Sequence, residues 1–349
     1  MNVTISSLIL TKLVSSPFLN PASRISITNI STIQSHFRNF GNSYLQKTTG
    51  TSSLLFCKTY FQNFLAPPIS IIKAKLYYLT FYSTQDLSSE NSVFIKNCKF
   101  SYCKTCEYGG ALYIDNQDVE VSLYENEITE CYSSKHGGGL HITAMSFDSR
   151  NNVYDKCYTG ESCSYQTLFV DVTSNLIMDK DLIFANGDTF SSKSYCTVGL
   201  RFGNQQLNLL NFSTNQNILW GSAFSIYHDP YSSLEIDQCT FHNNSQYMSD
   251  VFYFIGVGNL CEISDCNIVY NRCSEFGTLI VALANAYVHF RNCAILRNTF
   301  GQLASSDSIN VVLFELCICD FEILISESVH QIDSTFQYGE FNSVKIGEY

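Results

Sequence analysis

Lysine and arginine are scarce in this chain, which has 20 of them against 31 acidic residues and a formal net charge of −11. A protein that binds the phosphate backbone needs clustered basic side chains, so we expect no nucleic acid partner. Charged residues make up only 15% of the chain and hydrophobic residues 45%. Such a sequence is too apolar to be disordered and long enough to bury a continuous core.

Long apolar runs are also missing. A membrane-spanning helix needs about 20 mostly apolar residues, and the longest candidates, residues 69–81 and 311–325, are interrupted by charged side chains. Residues 1–14 carry Lys12 as their only positive charge, and residues 8–10 are too short for the apolar core of a signal peptide. The sequence therefore predicts no transmembrane segment and shows no convincing signal peptide.

Helical periodicity and the common nucleophile and nucleotide motifs are absent. No block has apolar residues at the i, i+3, i+4 spacing of an amphipathic helix. No G-x-S-x-G elbow, Walker loop or dinucleotide fingerprint occurs. A doubly wound sheet needs about a dozen or more residues of crossover between parallel strands, so that fold is excluded. We assign no catalytic residue.

What the chain does have is a repeat of 26 to 29 residues, which marks a stack of similar coils. The anchor position of the repeat is occupied by Cys98, Asn126, Asn152, Asp181, Leu210, Cys239, Cys266 and Cys293. An apolar or aromatic residue follows two positions later, and a thiol or asparagine five positions later. A second apolar pair then follows in each coil: Leu112/Ile114, Leu140/Ile142, Leu168/Val170, Leu200/Phe202, Phe224/Ile226, Phe252/Phe254, Leu279/Val281 and Val312/Phe314.

Within each block the apolar residues alternate with polar ones, as in residues 234–237 and 288–291, which is typical of strands. Strands that recur without helices predict an all-β chain folded as a single parallel β-helix, or solenoid, of about ten coils. We place this β-helix at residues 51–349. Residues 1–50 are rich in Ser, Thr and Asn and are expected to form an irregular N-terminal cap or the first coils.

Stacked coils bring equivalent residues into ladders. Asparagine suits a corner, because it tolerates left-handed backbone and its amide can hydrogen-bond from coil to coil. A buried thiol can fill the same position. We therefore assign a structural ladder role to Cys98, Cys103, Cys131, Cys157, Asn186, Asn215, Asn244, Asn271 and Asn298. Longer connections in the fourth and eighth coils predict corner insertions near residues 187–197 and 299–310.

The 15 cysteines leave other interpretations open. If the chain is disulfide-bonded, the odd count leaves at least one thiol unpaired. Cys103-x-x-Cys106 has the spacing of a zinc-binding pair, but no second such pair completes a site, and His136-x₄-His141 stands alone. We predict no metal and no cofactor, and Cys106 has no role in the repeat.

Two motifs carry a family resemblance. Phe100-x-x-Cys103 with Gly109-Gly-Ala-Leu112, and Phe241-x-x-Asn244, resemble the paired FxxN and GGA[ILV] repeats of the chlamydial polymorphic outer membrane proteins. Similar repeats characterise families of predicted surface proteins from trichomonad protists. The resemblance covers roughly residues 90–320 and implies a right-handed parallel β-helix at the cell surface or outside the cell. Only Gly109–Leu112 matches the second motif fully.

The function expected from these observations is a non-enzymatic scaffold that presents an elongated surface for adhesion, with host or self surface proteins or glycans as partners. Outward tyrosines suit such contacts, although tyrosine also simply suits a half-exposed sheet. The candidate binding residues are Tyr102, Tyr113, Tyr132, Tyr158, Tyr253 and Tyr287.

The alternative is a carbohydrate-active enzyme of the pectin-lyase-like type, either a polysaccharide lyase or a glycoside hydrolase, or a degenerate relative of one. Such an enzyme needs clustered carboxylates, whereas the acidic residues are dispersed along this chain. Three or more carboxylates that converge with an arginine or lysine on adjacent coils would favour the enzyme. A face of outward aromatic rings without such a cluster would favour binding.

Overall fold

The computed structural model describes most of the chain. The described residues are 2–11, 18–20, 29–40, 45–47, 53–62, 64–72, 92–160, 165–187, 196–217, 222–227, 232–246, 251–256, 260–274, 277–284, 286–306, 311–320, 329–332 and 335–336. They contain strands and turns but no helix, and therefore no helix that meets the length and apolarity of a membrane span.

Three long sheets run along the molecule, and every strand pair in the described part of the chain is parallel. Sheet 1 consists of Asn2–Ser6, Asn29–Ile33, Ser53–Cys57, Ser92–Lys96, Glu120–Tyr124, Ser146–Arg150, Asn175–Asp179, Asn204–Asn208, Leu234–Asp237, Leu260–Ser264, Tyr287–Arg291, Val311–Glu315 and Val329–Ile332. Sheet 2 consists of Ile9–Thr11, His36–Arg38, Tyr60–Gln62, Lys99–Ser101, Glu127–Thr129, Val153–Asp155, Leu182–Phe184, Asn211–Ser213, Thr240–His242, Asn267–Val269, Ala294–Leu296, Ile318–Cys319 and Thr335–Phe336.

Sheet 3 consists of Phe18–Asn20, Leu45–Lys47, Ile69–Ile72, Leu112–Asp115, Leu140–Ala144, Tyr165–Val172, Cys196–Arg201, Ser222–Tyr227, Phe252–Ile255, Thr278–Leu283 and Gln302–Ser306. A short sheet joins Lys104–Thr105, Tyr132–Ser133 and Tyr158–Thr159, and another joins Gln216–Asn217 and Ser245–Gln246. Among the described residues, the coils up to the one that ends with Gln302–Ser306 supply one strand to each long sheet, so the predicted all-β parallel solenoid is confirmed.

The number of coils is somewhat larger than the ten predicted, because sheets 1 and 2 each contain 13 strands among the described residues. Strands at residues 2–47 extend the same three sheets. The sequence pattern left two possibilities for residues 1–50, an irregular cap or the first coils, and the anchor series could not be extended there because Ser35 and Thr59 occupy the anchor position in place of cysteine or asparagine. Whether residues 1–50 act as a separate cap stays a prediction.

The core is a stack of inward side chains in register. The aromatic or apolar residue two positions after each anchor pairs with its equivalent in the next coil, as Phe100 does with Ile128 and with Phe61. The rings of Phe61 and Phe100 are stacked with centroids 4.9 Å apart. The anchor series read from the sequence is therefore confirmed by the strand register.

The corners are single residues in the left-handed conformation. The residue before each anchor, such as Leu209, and the residue before each ladder asparagine, such as Thr214, has φ between 50° and 58°. A side chain in this region costs on the order of 1–2 kcal/mol. The expectation that the ladder asparagines themselves adopt left-handed backbone is wrong. The preceding residue turns, and the asparagine then points into the core.

Those inward asparagines satisfy the corner backbone. The Asn215 amide nitrogen and its Nδ2 donate to Asn244 Oδ1 over 3.1 and 3.0 Å, and Nδ2 also donates to the Ile183 carbonyl over 2.9 Å. The same pattern links Asn186, Asn215, Asn244, Asn271 and Asn298. The asparagine column ends at Cys157, whose backbone nitrogen donates to Asn186 Oδ1 over 2.8 Å.

The sequence prediction assigned the wrong residues to the second apolar pair in three coils. The register with Leu168/Val170 places Val198 and Leu200 in the fourth coil, not Leu200/Phe202. In the seventh coil it places Ile280 and Ala282, not Leu279/Val281. In the fourth coil three apolar residues share one phase of the alternation, so the pattern did not decide which two form the pair. In the seventh coil both phases are apolar, so the alternation gave no unique choice.

In the eighth coil the predicted pair Val312/Phe314 lies in sheet 1, where it pairs with Val288 and Phe290. The strand of sheet 3 is instead Gln302–Ser306. The insertion predicted at residues 299–310 is therefore wrong for residues 299–306, and residues 307–310 lie outside the described part. Of the insertion predicted at residues 187–197, residues 188–195 lie outside it as well.

Replacing Asn244 by leucine should destabilise the solenoid by about 3 kcal/mol, because the amide groups of Asn215 and the Phe212 carbonyl lose a buried partner. Thermal unfolding followed by circular dichroism measures the effect. Asn267→Ala, at an exposed position of sheet 2, is the matched control and should leave the unfolding midpoint nearly unchanged. Equal midpoints for both variants would show that the asparagine ladder does not stabilise the corner.

Candidate functional site

An aromatic surface covers part of the outer face of sheet 3. Tyr113, His141 and Phe169 are aligned across three adjacent coils as an outward column. Rings from the preceding corners and from the start of the third strand join them. We call the following set the aromatic surface: Tyr108, Tyr113, His136, His141, Tyr165 and Phe169.

Tight glycine turns place the corner rings of this surface. Gly109 has φ +62°, and a Cβ there would clash with the Leu112 carbonyl. At Gly110 a Cβ would clash with the carbonyl of Gly138 in the next coil. The glycine runs therefore let two successive corners approach each other closely. Tyr108 and His136, which precede these runs, are thereby brought beside the strand residues.

The rings form a connected set. Tyr108 lies 5.6 Å from Tyr113 and 4.7 Å from His141, measured between ring centroids. His141 stacks on Phe169 at 4.7 Å, and Phe169 lies 4.7 Å from Tyr165. Offset and tilted ring pairs at these distances are attractive. The surface is thus held in place by its own ring contacts.

Gly199 makes room for Tyr165. It follows Phe169 in the outward column of sheet 3. A Cβ at this position would overlap Cδ1 and Cε1 of the Tyr165 ring. The Tyr165 ring therefore lies across the backbone of the fourth coil, where any other residue would displace it.

The aromatic surface is uncharged near neutral pH. Burial, with a smaller contribution from His136, lowers the pKa of His141 to about 3. Burial also lowers the pKa of His136, with a smaller effect from Lys135. Burial and the charge of Asp115 raise the pKa of Tyr113 to about 12. Neutral rings of this kind suit an apolar ligand face better than an ion.

The six tyrosines proposed from the sequence do not share one face. Tyr113 belongs to the aromatic surface. Tyr253 lies in the same outward column of sheet 3, three coils beyond Phe169, with Gly199 and Ser225 between them. A ligand on the aromatic surface would reach Tyr253 only by crossing those coils.

The remaining four tyrosines lie elsewhere. Tyr132 and Tyr158 pair in the short three-stranded sheet, with ring centroids 5.1 Å apart. Tyr102 is a corner residue whose hydroxyl donates to Glu130 over 3.0 Å, and Tyr287 is exposed on sheet 1. Their role in binding stays a prediction.

Sequence reasoning missed the other five members of the aromatic surface. A signal was present, because Tyr113, His141 and Phe169 are the middle residues of the second apolar pairs in the first three coils. A residue between two inward positions of a strand must point outward. Tyr108 and His136 stand at matching corners, but only the folded chain shows that these corners reach the sheet.

The acidic side chains in the described ranges do not converge. Glu125 and Glu127 pair with Lys96 and Lys99 of the preceding coil at 3.6 and 2.5 Å. On sheet 1, Glu262 pairs with Arg291 at 2.8 Å. No group of three His, Cys, Asp or Glu side chains in those ranges is arranged to hold a metal ion.

One carboxyl group is buried inside the solenoid. Asp181 is 1% exposed and continues a second polar ladder: its Oδ1 accepts from the Asn152 amide nitrogen over 2.7 Å, and its Oδ2 accepts from Ser149 Oγ over 2.5 Å. Burial raises its pKa from 3.8 to about 7, although these hydrogen bonds oppose the shift. Asp181 faces the core, so it cannot reach a polymer on the surface.

The thiols in the described part of the chain are all free. Cys103, Cys131 and Cys157 stack inside the solenoid at the positions that asparagine occupies in later coils, and each is fully buried. Cys106, three residues after Cys103 in the same coil, is exposed. The thiol column is thus a packing feature of the core, while Cys106 is open to solvent.

Comparison with protein-family models, with curated proteins and with solved structures finds no match to this chain. The fold itself defines the class, a parallel β-solenoid. Function must therefore be argued from the residues on its faces.

Asp181→Asn should stabilise the protein, and more so at pH 8 than at pH 5. The folded pKa of Asp181 lies above the unfolded value of 3.8, so the folded state holds the extra proton between about pH 4 and 7 and loses stability as the pH rises through that window. The gain on substitution should be larger at pH 8 by about 3 kcal/mol. Chemical denaturation at both pH values measures it, and Asp118→Asn, at an exposed turn, is the control. An equal gain at both pH values would contradict the raised pKa.

A thiol reagent should label Cys106 rapidly in the native protein and reach the ladder thiols only after denaturation, because buried thiols are protected and unreactive. Mass spectrometry after timed labelling identifies the sites. In Cys106→Ser the fast label should be lost from this position. Equally fast labelling of Cys131 would show that the core thiols are accessible.

Proposed function

We propose that this β-solenoid is a non-enzymatic scaffold that binds carbohydrate chains at its aromatic surface and thereby supports adhesion. The observation that carries the proposal is the aromatic surface itself, six connected rings on one face of three adjacent coils. Sugar rings present apolar C–H faces, which pack well on the electron-rich faces of tyrosine and histidine. Four of the six rings are half-exposed and can make such contacts.

The electrostatic state of the surface supports binding rather than catalysis. Glycosidases act through two carboxyl groups on opposite sides of the scissile bond, about 5 to 10 Å apart. The acidic side chains paired on sheets 1 and 2 lie on other faces, and the carboxyl of Asp181 is enclosed. Asp115 and Asp171 do lie on sheet 3, in the outward column next to the aromatic surface and with Thr143 between them. A carbohydrate-active enzyme is therefore the alternative that the test below must exclude.

The likeness of the repeats to those of the chlamydial polymorphic outer membrane proteins and the trichomonad surface proteins supports a location at the cell surface or outside the cell. Partners in that setting are glycans or glycoproteins of a host or of the same cell. A rigid solenoid suits this role because it displays a surface without rearrangement, which limits the entropy lost on binding.

Tyr165→Ala should weaken binding of a glycan at least about tenfold, since it removes a half-exposed ring and frees Phe169 and His136 to move. A glycan array selects the ligand, and isothermal titration calorimetry measures the affinity. Tyr60→Ala, which removes an exposed tyrosine from sheet 2, is the matched control and should bind as the unmodified protein does.

Three results would overturn the proposal. One is the absence of any bound glycan on the array. A second is a loss of affinity in Tyr60→Ala rather than in Tyr165→Ala. The third is cleavage of a polysaccharide in the same incubations, seen as new reducing ends or unsaturated products, which would establish the enzymatic alternative.

A further inference from the structure

An arginine stands beside the aromatic surface in a cage of rings. Arg201 follows Asp171 in a second outward column of sheet 3, two residues along the strands from the column of Phe169. Its guanidinium carbon lies 5.0 Å from the ring centroid of Tyr227, 5.4 Å from that of Phe202 and 6.0 Å from that of Phe169. Three rings around one guanidinium hold the side chain in place and favour its charge.

The hydrogen-bonding capacity of Arg201 is unused within the described residues. Its Nε is buried and has no hydrogen-bond partner there. The nearest carboxylate, that of Asp171, approaches the guanidinium only to 4.0 Å, which is too long for a hydrogen bond. A guanidinium has five N–H donors in a planar fork that matches a carboxylate. Because 34% of the side chain is exposed, an incoming acceptor can reach it.

Arg201 and the aromatic surface form one continuous face, since the Phe169 ring contacts both His141 and Arg201. Along one strand, alternate outward residues are separated by about 6.6 Å. A ligand that covers Phe169 and Tyr165 therefore extends directly to the guanidinium. The net charge of −11 gives the protein as a whole no attraction for anions, so any preference for an acidic ligand must come from this local group.

We propose that Arg201 binds a carboxylate of the ligand that lies on the aromatic surface, so that this ligand is a carbohydrate with acidic sugar residues. The inference rests on the proposed function and adds the chemical class of the ligand. The neutral rings bind the apolar faces of the sugars, while the guanidinium selects for the charge. The carboxylate of the ligand forms hydrogen bonds to the guanidinium of Arg201, which the surrounding rings already hold in place. Asp171 lies 4.0 Å from the guanidinium and does not have to move far to admit this carboxylate.

The test uses two matched pairs of ligands that differ only in carboxyl groups. One pair is an oligomer of glucuronic acid and the same oligomer with its carboxyl groups reduced to alcohols. The other is sialyllactose and the same trisaccharide with its carboxyl group reduced to an alcohol, which distinguishes a chain of uronic acids from a single terminal acidic sugar. Calorimetry with the full-length protein measures all four affinities at low salt and at a salt concentration that screens exposed charges.

We expect the protein to prefer the acidic member of at least one pair about tenfold, and this preference to shrink as salt is added. Arg201→Gln should abolish the preference while it leaves the affinity for the neutral member within about twofold. Arg150→Gln removes an arginine from the outer face of sheet 1, where it donates to Asp148 over 2.8 Å. This control should keep the full preference.

Equal affinities for acidic and neutral members, with both lost in Tyr165→Ala, would overturn the role of Arg201 and leave the aromatic surface as a binding site for neutral sugars. A preference that survives in Arg201→Gln would also overturn it. If no member of either pair binds and the array shows no other glycan, both proposals fail. The salt dependence of the unmodified protein tests the inference even if Arg201→Gln does not fold.

Discussion

The in-register hydrogen bonding between successive coils is the constraint on which the rest of this structure depends. Because each coil pairs with the next along three sheets, every residue has a fixed neighbour one coil away. The corners are the difficult points, since a single left-handed residue must turn the chain there. The ladders of Asn186 to Asn298 and of Asn126, Asn152 and Asp181 satisfy the buried amides beside these turns. The strained corners are thereby compensated by side chains that point inward.

The same register produces the candidate binding face. An outward position in one coil lies about 4.8 Å from its equivalent in the next, so three aromatic residues at equivalent positions become one surface. Tyr113, His141 and Phe169 are such a set, and Gly199 ends it by leaving room for Tyr165. The strands of sheet 3 therefore fix the positions of the rings on this surface. Neither the aromatic rings nor Arg201 depend on a long connecting loop for their position.

Sequence periodicity predicted the fold well where the ladder residues are distinctive. Cysteine and asparagine at most of the anchors fixed the register of the coils from residue 98 onward, whereas Ser35 and Thr59 left the earlier anchors unassigned. Alternation alone did not fix the register at Val198, Leu200 and Phe202, because three apolar residues in the same phase offer two possible pairs. The candidate site was largely missed, since it joins corners and strands of several coils and its outward residues are themselves aromatic. Asp181 shows a related limit: its spacing placed it in the anchor series, but only the folded chain shows that its carboxyl is buried and bonded to Ser149 and Asn152.

Inward residues stabilise the stack of coils and outward residues form its surface, and this difference bears on how such a protein can change over evolutionary time. Substitutions at Asn215 or Asn244 affect the stacking of two coils, whereas substitutions at Tyr113, Phe169 or Arg201 alter only what the face presents. Natural selection can therefore change the side chains on this face one coil at a time. Duplication or loss of a whole coil would lengthen or shorten the face while the register of its neighbours is kept. The outward faces of the solenoid can in this way diversify faster than its fold.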